Sequence, residues 1–154
     1  KTYILSRRTK ILRILAMDVG DRRVGMAISD PMGWTAQGIE TLERKNNKQD
    51  MEQIAKLIKR YNPEKIVIGL PKNMNGSIGP QGQKVKEFAE LLKSEVYKGE
   101  IIFWDERLTS VMANRLMIDA DVSRAKRKKK VDKMAAVFIL QSYLDFINNQ
   151  KEGE

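Results

Sequence analysis

The feature that most constrains the fold is a series of short apolar runs, each too short to form a buried helix. Ile14–Val19 is followed by a polar turn and by a second apolar run over residues 24–29, and Lys65–Leu70 lies between two prolines. Runs of this length bounded by glycine, proline or polar turns are typical of buried strands. The pattern therefore predicts a central sheet that begins with a hairpin.

Helical periodicity alternates with strands in the rest of the chain. Further strands are predicted over residues 34–42 and 100–104. The predicted helices cover residues 50–62, residues 82–95, a segment that follows Thr109 or Ser110, and residues 130–148. We therefore expect an α/β domain with one central sheet, in which the first three strands are antiparallel and the later two are added by parallel crossovers.

The chain organisation is that of a single domain. Its 154 residues suffice for one hydrophobic core, and no internal repeat or linker divides them. Residues 1–12 form a basic N-terminal extension, expected to be disordered or foreign to the domain, residues 13–148 form the domain, and residues 149–154 form a flexible tail. Because no apolar run could cross a membrane and cysteine is absent, we expect a cytoplasmic protein without membrane contact.

The absence of both cysteine and histidine excludes several kinds of chemistry. The chain can form no disulfide, no thiol nucleophile and no cysteine or histidine zinc site. It has no imidazole to act as a general base, so the Ser-His-Asp and Cys-His catalytic arrangements are excluded. Hydrolysis by this chain must therefore depend on carboxylates, hydroxyls, lysines or a metal ion held by oxygen ligands.

Asp18 is unusual because it lies within the most apolar of the early runs. An ionised carboxylate inside a strand is costly unless a metal ion or an arginine, such as Arg22 or Arg23, pairs with it. Alternatively, Asp18 could lie at a strand end and cap the turn at Gly20. Taken alone, this residue favours the capping interpretation.

Acidic residues also stand at the ends of two later elements. Asp105 and Glu106 follow the strand predicted over residues 100–104. Because side chains alternate along a strand, only one of the two is expected to reach a given site. They could instead pair with Arg107 in a surface turn. Asp132 shares the apolar face of the last predicted helix, although it could simply be a favourable acid near a helix N-terminus.

Considered together, the three acidic positions favour metal-dependent hydrolysis. Each lies at the end of a different buried element, and converging carboxylates repel one another unless a cation lies between them. Mg²⁺ or Mn²⁺ prefers oxygen ligands. One or two such ions can activate water and stabilise an in-line displacement at a phosphodiester.

Basic residues accompany these acids and favour a nucleic-acid partner. The net charge is +9, and residues 122–131 carry six lysines and arginines with no acid, directly before Asp132. Such a run could bind phosphates beside a metal, or it could be a solvated surface segment. A long loop over residues 71–82, rich in glycine, proline and amides, could also contact a nucleic-acid backbone. The predicted nucleic-acid-binding residues are Arg22, Arg23, Lys72, Asn73, Arg107, Arg124, Arg127, Lys128, Lys129 and Lys130.

Four segments of the chain resemble the motifs of the YqgF family, also called RuvX. They are DVGDRRVG at residues 18–25, GLPKNMNG at 69–76, DERLTS at 105–110 and DKMAA at 132–136. The resemblance spans residues 13–148, with the motifs in order and at fitting spacing. The first motif alone would be weak evidence for the family, because actin-like and sugar-kinase ATPases have a similar first turn. The four together are specific.

The resemblance implies an RNase H-like fold with a five-stranded mixed sheet flanked by helices. It also implies a Mg²⁺-dependent nuclease, relatedness to Holliday-junction resolvases and maturation of the 5′ end of pre-16S ribosomal RNA. Carried over by position, Asp18, Glu106 and Asp132 would be both the catalytic residues and the metal ligands. This chain has Asn75 where the family commonly has aspartate.

Three further hypotheses concern function. The first is a DNA junction resolvase, which would be expected to form a homodimer, whereas an RNA nuclease could be a monomer or a homodimer. The second is a non-catalytic nucleic-acid-binding assembly factor. The third, an actin-like ATPase, is disfavoured because the chain has no second half to close over a nucleotide. Structured RNA is favoured over branched DNA as the partner.

Overall fold

A computed structural model of the chain describes residues 13–109 and 124–152, and over residues 124–133 and 151–152 it describes the backbone alone. Five strands, three α-helices and one short 3₁₀-helix lie in these ranges. In chain order they are β1 (Ile14–Val19), β2 (Arg23–Ser29), β3 (Ala36–Glu43), α1 (Asn47–Tyr61), β4 (Lys65–Leu70), α2 (Pro80–Glu95), β5 (Glu100–Asp105), the 3₁₀-helix (Glu106–Leu108) and α3 (Arg124–Glu152).

The five strands form one mixed sheet in the order β3-β2-β1-β4-β5. β1 pairs antiparallel with β2, and β2 pairs antiparallel with β3. β4 pairs parallel with β1, and β5 pairs parallel with β4. The predicted hairpin, antiparallel first three strands and parallel crossovers are confirmed. β1 lies at the centre of the sheet, and all of its residues are buried.

Helices cover both faces of the sheet. On one face, Leu15 and Met17 of β1 pack with apolar side chains of α1 and α2. On the other face, Ala16 of β1 and Val67 of β4 pack with Ile139 and its apolar neighbours in α3. Strands that are buried on both faces need apolar residues at nearly every position, which explains the continuous apolar runs in the sequence.

Helix α1 begins at Asn47, so the start predicted at Asp50 was wrong. The N-cap is Asn46, whose side chain accepts a hydrogen bond of 2.9 Å from a backbone N–H of the first turn. Asp50 is only 2% exposed. It accepts hydrogen bonds from Arg44 Nε at 3.2 Å and from the Lys45 N–H at 2.9 Å. The acid that suggested a helix start is therefore a buried ion-pair partner.

Helix α3 begins at Arg124, so the start predicted near Lys130 was also wrong. Lysine, arginine and alanine are good helix formers, and no glycine or proline interrupts residues 124–152. The helix therefore extends through the basic run, and at its other end it reaches Glu152. The flexibility predicted for residues 149–154 stays a prediction, although the backbone is helical as far as residue 152.

Two predicted segments lie outside the described residues. They are the N-terminal extension over residues 1–12 and the helix expected after Thr109 or Ser110. In the part of the chain that is described, no helix is both long and apolar enough to span a membrane.

Candidate active site at the carboxyl end of the central strands

Asp18 lies at the centre of the candidate site, one residue before the end of β1. Its side chain is 8% exposed, and the alternation of side chains along β1 places it on the face covered by α3, together with Ala16. Its cross-strand neighbour on β2 is Gly25. The parallel register between β1 and β4, continued by one residue, places Gly69 on the other side. Both positions directly beside Asp18 on the neighbouring strands are therefore glycines.

The carboxylate of Glu106 occupies the space above Gly69. A Cβ atom built on Gly69 would lie 2.9 Å from Glu106 Oε1, 3.3 Å from Glu106 Cγ and 2.5 Å from Ile139 Cδ1. Because Ile139 belongs to the core on the α3 side, Glu106 lies on the same face of the sheet as Asp18. Gly69 is one strand spacing from β1, about 4.8 Å. Asp18 on β1 and the Glu106 side chain over Gly69 of β4 therefore lie on the same face of neighbouring strands.

Asp132 lies in α3, two helical turns before Ile139. The C-terminal part of this helix reaches the opposite end of the sheet, where Asn148 Nδ2 donates a hydrogen bond of 3.1 Å to the carbonyl of Gly33. The N-terminal part therefore extends past the carboxyl ends of β1 and β4, towards the site. Among the side chains that are described, no three acidic residues form a potential metal site, and the side chain of Asp132 is outside that set.

Asp105 points to the other side of the strand end and is bound by two cations. Arg107 donates to it from Nε at 3.1 Å and from Nη2 at 2.8 Å, and Lys72 Nζ lies 3.9 Å from Oδ2. The side-chain hydrogen bond from Arg107 holds the pKa of the Asp105 carboxyl below its usual range, and this effect outweighs the opposing effect of burial. The expectation that only one of Asp105 and Glu106 reaches the site agrees with this arrangement.

The loop between β4 and α2 is closed by its own polar groups. The N–H of Gly76 donates to the carbonyl of Asn73 at 2.9 Å, and Gly76 has a φ of 87°, which favours glycine. The side chain of Asn73 donates to Ser77 Oγ at 2.9 Å, and Asn75 Oδ1 accepts from Ser77 Oγ at 2.6 Å. The amides predicted to contact nucleic acid are thus engaged in shaping the loop, and Met74 at its tip is 98% exposed.

The remaining predicted nucleic-acid-binding residues have different surroundings. Arg23 forms an ion pair with Glu43, with Nε 3.5 Å from Oε1. Arg22 is exposed. The backbones of Arg124, Arg127, Lys128, Lys129 and Lys130 lie in the N-terminal part of α3, just before Asp132.

Gly25 and Gly69 are the site residues that analysis of the sequence alone did not single out. Both are buried and lie in central strands, where a glycine leaves the sheet without a packed side chain. The available signal was an isolated glycine inside an apolar run, which often marks the close approach of another group. Because β1 and β4 are far apart in sequence, their register could not be inferred from either segment.

A comparison with known families shows the family to which the chain belongs. The model of the RuvX family, described as "Holliday junction resolvase", matches residues 12–146. The chain belongs to the RuvX family. Relatives in this family include the "Putative pre-16S rRNA nuclease" of Clostridium tetani (strain Massachusetts / E88), 59% identical over 139 residues, or 90% of this chain and 100% of the relative. The protein of the same name from Clostridium novyi (strain NT) is 60% identical over 136 residues, which is 88% of this chain and 100% of the relative.

A solved structure also resembles the RuvX chain. It is that of T. thermophilus RuvC in complex with a Holliday junction substrate, with a TM-score of 0.57 and 11% sequence identity, covering 88% of this chain and 96% of that chain. At this identity the similarity concerns the fold alone. The predicted family and the predicted RNase H-like fold are therefore both confirmed.

Proposed function

We propose that this chain is a metal-dependent nuclease that matures the 5′ end of pre-16S ribosomal RNA. As a member of the RuvX family it is a hydrolase of phosphodiester bonds that acts on nucleic acid. The observation that carries the proposal is that Asp18 on β1 and the Glu106 side chain over Gly69 of β4 lie on the same face of the sheet.

The residues of the site fit a divalent cation. Asp18 and Glu106 offer carboxylate oxygens, and the absence of a side chain at Gly69 leaves room for the Glu106 carboxylate on this face of the sheet. Carboxylates on neighbouring strands can share a cation, and an oxygen-only donor set suits Mg²⁺ or Mn²⁺. Asp132 would complete the set from α3. When bound, such an ion supplies charge neutralisation at the phosphate and increases the acidity of water.

The chain itself positions and shields the reacting groups. Asp18 is held in the central strand, and Glu106 is held at the end of β5 by the 3₁₀-helix. Because α3 covers this face of the sheet, the carboxylates lie near a low-dielectric layer formed by residues such as Ile139, where their attraction for a divalent cation would be strengthened. In this proposal the attacking group is water, and the chain contains no cysteine or histidine that could act as a nucleophile instead.

Ribosomal RNA is favoured as the substrate because both relatives described above bear the name of a pre-16S rRNA nuclease. The basic segment from Arg124 to Lys130 would bind the RNA backbone beside the carboxylates, together with Arg22 from the β1–β2 turn. Ribosomal RNA processing would place the protein in the cytoplasm. Cleavage of one strand requires one site, so a monomer suffices.

A second candidate function is a Holliday-junction resolvase. The description of the family model and the RuvC-like fold favour it. Symmetric cutting of a four-way junction needs two sites at a fixed separation, so this function predicts a homodimer, at least on DNA.

A cleavage assay with Mg²⁺ or Mn²⁺ separates the two candidates. The substrates are a precursor fragment spanning the 5′ end of 16S rRNA, an unrelated single-stranded RNA and a four-way DNA junction. Wild type is compared with Asp18→Asn and Asp132→Asn, and with Asp145→Asn as a matched control. Asp145 is an exposed acid of α3 whose carboxylate accepts from Gln141 Nε2 at 2.9 Å, far from the site.

Cleavage of the precursor RNA that is lost in Asp18→Asn and Asp132→Asn but kept in Asp145→Asn is the expected result. Cleavage of the junction alone would favour the resolvase. Equal cleavage by wild type and the two site variants would contradict a shared carboxylate site. The absence of cleavage of every substrate by wild type would favour a binding protein without catalysis.

A further inference from the structure

We infer that Arg107 is a positioning residue that fixes Glu106 and the loop over residues 71–79 relative to each other, rather than a contact to the phosphates of the substrate. The inference rests on the proposed function, because it assigns a role toward Glu106 in the proposed reaction. It revises the prediction from the sequence, which placed Arg107 among the nucleic-acid-binding residues on charge alone.

The guanidinium of Arg107 is largely occupied by protein acceptors. Nε and Nη2 donate to the carboxylate of Asp105 at 3.1 and 2.8 Å. Nη1 donates to the carbonyls of Asn73 and Met74 at 3.4 and 3.2 Å. Within the described residues, a single Nη2 hydrogen is left without a protein acceptor. A side chain used in this way has little capacity to form the bidentate contact that arginine makes with phosphate.

These bonds join the two strand ends that define the position of Glu106. Asp105 is the last residue of β5, and the loop that holds Asn73 and Met74 follows β4 directly. The carboxylate of Glu106 lies above Gly69, near the end of the same β4. Arg107 therefore connects the strand that leads into Glu106 with the strand against which the Glu106 side chain lies.

The backbone around Glu106 is fixed by the same set of contacts. Asp105 Oδ1 accepts from the N–H of Arg107 at 2.9 Å. The carbonyl of Glu106 accepts from the N–H of Thr109 at 3.1 Å and from Thr109 Oγ1 at 2.8 Å. The short 3₁₀-helix has no buried residue to anchor it. Its attachment to the loop consequently depends on polar contacts, including those of Arg107 to the loop carbonyls.

Lysine in place of Arg107 cannot make all of these contacts, so Arg107→Lys distinguishes a positioning role from a phosphate contact. A lysine ammonium is a compact charge, which could pair with Asp105 or reach a loop carbonyl but lacks the planar fork that does both. A phosphate contact, in contrast, would be largely preserved by lysine. Lys72 is the matched comparison, because it also approaches Asp105, at 3.9 Å, and no hydrogen bond from its side chain to the loop carbonyls was found among the described residues.

The experiment uses the full chain and compares wild type with Arg107→Ala, Arg107→Lys and Lys72→Ala. Three quantities are measured: the affinity for a short RNA in EDTA over a range of salt concentrations, amide hydrogen exchange across the loop, and kcat and KM for cleavage with Mn²⁺. The exchange of the Gly76 N–H, which is bonded to the Asn73 carbonyl at 2.9 Å, reports on the loop directly.

We expect Arg107→Ala to accelerate exchange in the loop and to lower kcat by about tenfold or more, since small misplacements of a reacting group have effects of this size. Its KM and the salt slope of RNA binding should stay unchanged, and Arg107→Lys should resemble Arg107→Ala. Lys72→Ala should leave loop exchange unchanged.

A salt slope reduced by about one in Arg107→Ala and restored in Arg107→Lys would overturn the inference, because this is the behaviour of a phosphate contact. Unchanged loop exchange in Arg107→Ala would overturn it as well. If wild type cleaves no RNA, the proposed function fails, while the salt slope and the exchange still decide the role of Arg107.

Discussion

Replacing Gly69 with alanine tests whether the space above β4 is reserved for Glu106. The added Cβ would lie 2.5 Å from Ile139 Cδ1 and 2.9 Å from Glu106 Oε1. Ordinary contact between carbon atoms occurs at about 3.5–4.0 Å. Ile139 must therefore move by about 1 Å and Glu106 by about half as much. Ile139 has no exposed surface, so its movement disturbs the core on the α3 side.

The expected magnitude follows from this overpacking. Adding a methyl group to a well-packed core costs about 1–3 kcal/mol. For a domain of this size, each kcal/mol lowers the melting temperature by about 2–4 °C. Gly69→Ala should therefore be folded but measurably less stable than wild type. Its loss of cleavage should be larger than its stability implies, because the displaced Glu106 carboxylate no longer faces Asp18.

A second substitution separates the two clashes. Ile139→Val removes Cδ1 and by itself costs about 0.5–1.5 kcal/mol. In the double variant Gly69→Ala/Ile139→Val the core clash is relieved, so adding the alanine should cost less stability than it does in wild type. The clash with Glu106 remains, so cleavage should stay low. Denaturant unfolding and cleavage with Mn²⁺, measured on all four proteins, give both quantities.

Two results would refute this reasoning. If Gly69→Ala is as stable and as active as wild type, the close approach of Glu106 and Ile139 to β4 does not exist in solution. If the double variant regains full cleavage, the loss in Gly69→Ala came from movement of α3 and not from displacement of Glu106.

Three further predictions follow from the same contacts. Mn²⁺ should raise the melting temperature of wild type but not of Asp18→Asn, and equal shifts in a thermal scan would contradict a site that includes Asp18. Replacing Lys128, Lys129 and Lys130 with alanine should weaken RNA binding regardless of sequence and flatten its salt dependence, and an unchanged slope in binding titrations would contradict phosphate contacts there. Because Arg107 lowers the pKa of Asp105 in the folded chain, this carboxylate stabilises the fold above its unfolded pKa of about 3.9, and the stabilisation is lost as the pH falls through the folded pKa. Wild type should therefore exceed Asp105→Asn in unfolding free energy at neutral pH, with the difference shrinking in acid; a constant difference would show that the charge is not involved.

Much of the fold was predictable because the apolar runs and the turns between them indicate the strands directly. Residues 65–70 between two prolines could be only a buried strand, and the hairpin at the start required only a polar turn between two apolar runs. The position of Asp18 inside such a run marked the residue as unusual, since burying a carboxylate needs a specific reason, although the residue alone favoured a cap of the turn at Gly20. These features depend on neighbours in sequence.

The errors and omissions concern residues whose partners are distant in the sequence, or whose charge suggested a role that their helix propensity or their contacts contradict. Asp50 resembled a helix start because acids favour the first helical turn, whereas its place is set by Arg44, which also donates to the carbonyl of Gly20 at 2.9 Å. The basic run resembled a loop because of its charge, although its residues are good helix formers. The charge of Arg107 suggested a phosphate contact, and only the structure shows the acceptors that already occupy it.

The two glycines beside Asp18 show why the sequence suggested where the site lies but not how its residues are arranged. Glycine in a central strand weakens the sheet, because it adds backbone entropy to the unfolded chain and packs no side chain. Gly25 and Gly69 nevertheless flank the same carboxylate on the two strands that pair with β1. At Gly69 a side chain would occupy the position of Glu106. A destabilising glycine therefore stands in a central strand where the Glu106 carboxylate approaches. Such departures from local stability are expected at functional sites.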